Sequence, residues 1–166
     1  MVIDRYDISV EQKPESIESV VMMKGAALAA SDVFTFCLNP GFKVEEVREG
    51  EKALDFKRDK QILLVDFGRK IEEGDTVSLS VRYAGRIADN FCYLDIPAEV
   101  LQEPYEKELL KIDKKYSFQT PDYVLFTPET YWYPRPGTAY SDVSPDWQQT
   151  YFSRFRLDVK PLPGLV

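Results

Sequence analysis

Apolar and polar side chains alternate along much of this chain, and that alternation limits its fold more than any other feature. Tyr6, Ile8 and Val10 fall on one side of an extended segment, with Arg5, Asp7, Ser9 and Glu11 on the other. Val77, Leu79, Val81 and Tyr83 alternate with Ser78, Ser80 and Arg82, and Phe155, Leu157 and Val159 with Arg154, Arg156 and Asp158. A period of two gives a strand one face to bury and one to leave wet, the habit of antiparallel sheets. Phe34, Phe36 and Leu38 alternate with Val33, Thr35 and Cys37, a pattern that suits a strand covered on both faces. Leu63-Leu64-Val65 is a short continuous apolar run of the central-strand kind.

Chain reversals fall between these runs. Asn39-Pro40-Gly41, Glu49-Gly50, Arg58-Asp59-Lys60 and Glu72-Glu73-Gly74-Asp75 supply residues that fix φ or tolerate positive φ. Strands of about 8 to 12 residues' spacing, with turn signals between, predict an all-β antiparallel sandwich of about ten strands. Residues 97–116 break the pattern, because Ala98, Glu99, Leu101, Glu106 to Leu110 and Lys111 favour helix. They predict one short helical or irregular excursion within a single β-sandwich domain spanning residues 1–166. Prolines at 128, 134, 136 and 145 mark a second irregular stretch.

Composition narrows the chemistry. The chain of 166 residues contains no histidine. That excludes H-E-x-x-H zinc sites, Ser-His-Asp and Cys-His pairs, and imidazole acid-base catalysis within this chain. Two cysteines, Cys37 and Cys92, are too few for a structural zinc site and read as buried thiols. A net charge of −7 argues against nucleic acid and anionic membrane surfaces. No apolar run reaches the roughly 18 to 20 residues of a membrane span, Lys24 and Gly25 interrupting the longest candidate from Val20 to Ala30. Met1 leads directly into Val2-Ile3-Asp4 without a signal-peptide pattern, and both ends read as internal to a longer protein.

Carboxylates are the remaining catalytic route. Glu45-Glu46 and Glu72-Glu73 are adjacent pairs, and adjacent strand residues point to opposite faces, so neither pair spans a glycosidase cleft alone. Surface acids are the simpler reading. The sharpest local feature is aromatic: Tyr131-Trp132-Tyr133-Pro134, followed by Tyr140, Trp147, Tyr151 and Phe152. Tyr131, Trp132 and Trp147 suit a stacking platform for sugar rings or other ligands in a stand-alone binding module. The same rings equally suit packing against the sandwich or a neighbouring domain.

The order of motifs resembles the amino-terminal β-domain of the aminopeptidase N family of zinc metallopeptidases (gluzincins). The resemblance starts at Tyr6-Asp7-Ile8-Ser9-Val10 and runs through Phe34 to Val44, Leu54-Asp55-Phe56 and Ile62 to Val65. Glu73-Gly74-Asp75 and the strand Val77 to Gly85 continue it. Phe126 to Glu129, Trp132-Tyr133-Pro134 and Phe155 to Pro161 close it. The resemblance implies a non-catalytic domain that flanks and shapes the cleft of a catalytic domain downstream, its main partner. Zinc and the glutamate base would lie in that later domain, so this chain itself implies no cofactor. The resemblance also implies that one loop reaches the substrate's amino group. Thr127-Pro128-Glu129-Thr130 occupies that place, with Pro128 where the family has glutamine. Glu129 is thereby a candidate substrate contact, with Tyr131 and Trp132 lining the same loop. Cys92-Tyr93-Leu94-Asp95 together with Trp132-Tyr133-Pro134 resembles a membrane-tethered branch, in which the ectodomain is fused to transporter-type spans resembling an ABC transporter permease. That implies an extracytoplasmic location. An apolar patch near Trp132 and the last strand is expected for a domain that docks this way.

Overall fold

The computed structural model describes residues 1–91, 115–120, 123–137 and 152–164. Nearly all of the excursion expected at 97–116 lies outside the described residues, as do Cys92 and Trp147; Lys115 and Tyr116, its last two positions, are described and are not helical.

Twelve strands form among the described residues. They are β1 (Val2–Gln12), β2 (Ile17–Ala26), β3 (Ser31–Cys37), β4 (Phe42–Glu49), β5 (Lys52–Ala53) and β6 (Asp55–Asp59), then β7 (Ile62–Ile71), β8 (Thr76–Gly85), β9 (Ser117–Gln119), β10 (Val124–Phe126), β11 (Arg135–Pro136) and β12 (Arg154–Lys160). A six-stranded sheet in the order β12-β1-β2-β8-β4-β5 faces a four-stranded sheet in the order β11-β3-β7-β6, and β9 and β10 make a separate hairpin. The all-β sandwich is therefore present, and the four expected reversals fall between strands. Gly50, Lys60 and Gly74 adopt the positive φ that their turns require.

One shared core explains the alternation. Tyr6 and Ile8 of β1, Ile17, Val21 and Met23 of β2, and Val77, Leu79, Val81 and Tyr83 of β8 point inward from the larger sheet. Phe34 and Phe36 of β3 and Leu63, Val65 and Phe67 of β7 meet them from the smaller one. The apolar stretch near Val20 that came closest to a membrane span is thus a sheet strand with alternating burial. No helix among the described residues is long and apolar enough to cross a membrane.

Two strand readings change. Val33 and Leu64 are partly exposed, so β3 and β7 are not covered on both faces along their length. Only Cys37 is covered there, under a small second cluster with Phe91 and Tyr131. More consequentially, β12 pairs with β1 in parallel, Tyr6 opposite Phe155, Ile8 opposite Leu157 and Val10 opposite Val159. All other strand pairs are antiparallel among the described residues. Alternation alone does not distinguish the two arrangements, because both give a side-chain period of two.

Burial pushes the phenols of Tyr6 and Tyr83 far above their ordinary value of 10.0, and that of Tyr133 upward as well. A raised acid pKa contributes stability that is complete below the unfolded value and is lost as pH climbs above it. We therefore expect stability to fall steeply above about pH 10. Absorbance at 295 nm should show a group of tyrosines ionising only as the near-ultraviolet circular dichroism collapses. A smooth titration of every tyrosine in the folded chain would contradict this burial.

Candidate functional site

The site begins at one buried amide. β3 ends at Cys37, and the chain turns through Asn39, whose side chain is wholly buried. Its Oδ1 accepts from the backbone N–H groups of Gly41 (2.9 Å) and Ala88 (2.8 Å). Its Nδ2 donates to the carbonyls of Thr130 (2.9 Å) and Ala88 (3.2 Å). Its backbone N–H donates to the Tyr131 carbonyl (2.8 Å). One residue thus ties three segments together: the β3–β4 turn, the chain after β8, and the loop before β11. The bond to Gly41 is an Asx-turn, the local habit of Asn in reversals. The packing leaves no room at position 41, where a Cβ would sit 2.1 Å from the Arg86 carbonyl oxygen.

Arg58 of β6 braces the same turn. Its guanidinium donates to the carbonyls of Leu38 (2.7 Å), Asn39 (2.8 Å) and Gln61 (3.1 Å). Partial burial lowers its pKa to about 10, so it remains a cation near neutral pH and its bonds stay charge-assisted.

Asn39 therefore holds the loop that the sequence singled out. Pro128–Thr130 form a 3-10 turn, closed by Tyr131 in the left-handed conformation at φ 50 and ψ 45. That conformation costs a non-glycine residue about 1–2 kcal/mol, and the surroundings hold it in place. The Tyr131 N–H donates to the Pro128 carbonyl (3.1 Å), and its ring lies 6.2 Å from Phe91 and under the Arg135 guanidinium at 5.7 Å. The buried Tyr83 hydroxyl donates to the Trp132 carbonyl (2.7 Å), pinning the loop to the larger sheet. Trp132 lies between Phe126 (5.9 Å) and Tyr133 (4.9 Å). Tyr133 in turn meets Tyr6 edge-on at 5.2 Å and Phe155 at 5.6 Å.

Glu129, Tyr131 and Trp132 are thus brought together in one braced loop, but they are not equally available. Glu129 and Trp132 are half-buried, while Tyr131 is only 8% exposed and Tyr133 likewise. The rings mostly serve packing. Tyr131 does not present a face for stacking on a sugar.

The aromatic chain ends at β12, where the expected apolar patch occurs. In-register residues of neighbouring strands share a face, so Phe155, Leu157 and Val159 extend the inward face of β1. The smaller sheet has four strands against the six of the larger one. Phe155 stacks on Tyr6 at 4.8 Å, yet Phe155, Leu157 and Val159 remain 54%, 52% and 55% exposed. The face that alternation marked for burial is therefore open along this strand. On the opposite face the charges alternate. Asp7, bonded to Arg5 at 2.6 Å and flanked by Arg156, is held below the usual carboxylate range, first by the Arg5 hydrogen bond. Lys160 reaches Glu11 at 3.1 Å.

An open groove of about 420 Å³ runs along the same strands, with Glu11, Glu18, Glu45, Arg82, Asp158 and Lys160 among its walls. Glu11 and Glu18 are ion-paired to Lys13 at 2.7 and 3.5 Å, as solvated surface acids commonly are. Among the described residues no cluster of three or more Cys, Asp or Glu is placed to hold a metal.

Sequence reasoning missed Asn39 and Tyr83 as parts of this site, and it named Tyr133 and Phe155 only within the aromatic cluster and the last strand. Asn39 was legible as a turn residue. The partner loop it binds, 91 residues away, was not.

Replacing Asn39 tests this construction. Asn39→Ala strands two N–H groups and two carbonyls in a buried setting, and is expected to cost about 3 kcal/mol or more. Asn39→Asp keeps the two acceptor bonds but sets a carboxylate against the carbonyls of Thr130 and Ala88, and should also destabilise. Urea unfolding measures both; a loss below about 1 kcal/mol for Asn39→Ala would contradict the role assigned to it.

No protein-family model matches the chain, and no curated protein does either. Solved structures do. An M1 zinc metallopeptidase from Deinococcus radiodurans is similar with a TM-score of 0.50 at 20% identity, over 57% of this chain and 22% of that one. A mutant of the same enzyme bound to a Tyr-Ser-Ala substrate gives the same values. A two-domain M1 zinc metallopeptidase bound to L-tryptophan is similar with a TM-score of 0.50 at 17% identity, over 54% of this chain and 21% of that one. The chain spans about a fifth of the length of these neighbours. At this identity the likeness concerns the fold alone, and it extends to a little over half of this chain.

Proposed function

We propose that this chain is a non-catalytic amino-terminal β-domain that packs against a metallopeptidase-like catalytic domain downstream and helps shape its substrate cleft. The observation that carries this reading is the open stripe of Phe155, Leu157 and Val159, which continues the inward face of β1 yet stays half exposed. A contiguous apolar stripe beside aromatic residues is what a docking domain leaves uncovered when it stands alone. The likeness to a fifth of M1 zinc metallopeptidases supplies the kind of partner.

In this reading the zinc and the general base belong to the downstream domain. This chain, without histidine, has no donor set suited to a catalytic zinc. Glu129 takes the cleft rim, a carboxylate facing a substrate ammonium group, on a turn that Asn39 and Tyr83 hold rigid. Tyr131 braces that turn from behind and Trp132 borders it. The finer placement, in a membrane-tethered parent outside the cytoplasm, belongs to the same proposal and rests on the motif resemblance of Trp132-Tyr133-Pro134 and Cys92 to Asp95. The inward turn of Tyr131 and Tyr133 weighs against a stand-alone sugar-binding module.

Leu157→Asp provides the test. The residue is half exposed in the chain by itself, so its replacement should leave the thermal midpoint of the 166-residue chain nearly unchanged. In the longer polypeptide the same change should loosen the joint, with limited proteolysis releasing the β-domain about tenfold faster. Equal release rates for wild type and variant would contradict the proposed docking face.

A further inference from the structure

We propose that the outer face of the larger sheet carries an oxyanion site, built from Arg5, Lys24 and Arg154 and suited to a phosphate group. It lies on the face opposite the apolar stripe, so it does not depend on the proposed function. Strand pairing sets Arg154 of β12 beside Arg5 of β1, and Arg5 beside Lys24 of β2. Tyr6 and Met23, the adjacent residues on β1 and β2, are buried, which turns Arg5 and Lys24 outward, and all three cations are exposed. The row crosses two strand spacings, roughly 10 Å. Like charges directly opposed destabilise a sheet. A β-bulge between Ile3 and Arg5 produces this opposition. It lets Ile3 and Tyr6 both point inward, and it sets Arg5 against Lys24 where a regular register would set Asp4.

The surrounding carboxylates do not neutralise the row. Asp7 accepts from Arg5 Nε (2.6 Å) and Nη2 (2.8 Å). That pairing fixes one edge of the guanidinium fork and leaves the other edge to donate elsewhere. Lys24 and Arg154 make no ion pair among the described residues, neither with Asp4 nor with any other acid. On the same face Arg156 holds Asp158 and Lys160 holds Glu11. The exposed Ser78 of β8 stands opposite Lys24 and adds a hydroxyl to the row. An oriented guanidinium, two unpaired cations and a hydroxyl form a donor set for a compact group with several acceptor oxygens. A chain of net charge −7 repels extended polyanions, which favours a single phosphate over a nucleic-acid backbone.

Titration with inorganic phosphate at constant ionic strength, followed by amide chemical shifts, tests the site. The resonances of Arg5, Lys24 and Arg154 should move together along one saturable curve. Lys24→Gln and Arg154→Gln should each weaken binding about fivefold or more, whereas Lys160→Gln, at the other end of β12, should leave it unchanged. Each of the two weakening variants relieves a like-charge opposition, so in phosphate-free buffer its thermal midpoint should not fall below that of wild type. Phosphatidylcholine vesicles with and without phosphatidic acid separate the two sources of phosphate. Sedimentation with the acidic vesicles, lost in both weakening variants, would assign the site to a lipid phosphate; a response to inorganic phosphate alone would assign it to a free one. Shifts that do not saturate, or equal weakening by Lys160→Gln, would overturn the proposal.

Discussion

The buried amide of Asn39 is the constraint on which the rest of the site depends. Its four side-chain hydrogen bonds join segments that lie far apart in the chain. A buried polar group that satisfies all of these partners specifies one arrangement, because any other leaves several groups unpaired at once. Thr130, held this way, fixes the start of the aromatic loop, and Tyr83 fixes its middle through the Trp132 carbonyl. Tyr133 then reaches the edge of the larger sheet, where it meets both Tyr6 and Phe155. A turn at one end of the sandwich is thereby coupled to the strand at its margin.

The second governing fact is a mismatch of widths. A six-stranded sheet faces a four-stranded one, and β12 is its terminal strand. The apolar residues of β12 carry the pattern of a core strand but stay half exposed. Stacking on Tyr6 secures Phe155 to the domain without hiding it. An open core face that is locally braced differs from a loose end, and it gives the docking reading its physical basis.

Much of the fold was legible from period and punctuation. The inward residues of β1 and β8 follow from alternation, and the β3–β4, β4–β5, β6–β7 and β7–β8 reversals follow from Gly, Pro, Asn and Asp chemistry. What lay hidden depended on distant partners. The parallel pairing of β12 with β1 joins residues about 150 positions apart, and nothing in the alternation of Phe155, Leu157 and Val159 encodes its direction. Nor does a single strand reveal how wide the opposing sheet will be. The site residues followed the same division. Glu129, Tyr131 and Trp132 came from a resemblance and a local aromatic cluster, and they do share one loop. The inward turn of Tyr131 came from its left-handed backbone and from Phe91 and Arg135, contacts that no local pattern announces.

The central claim is that the stripe on β12 is the covered face of a joint between domains. An experimental structure of the longer polypeptide tests it most directly, through the exposure of Phe155, Leu157 and Val159. The account predicts that all three, about half exposed in this chain, become buried against the downstream domain while the Asn39 bonds stay unchanged. Three side chains still half exposed in that structure, with the contact made elsewhere, would contradict it.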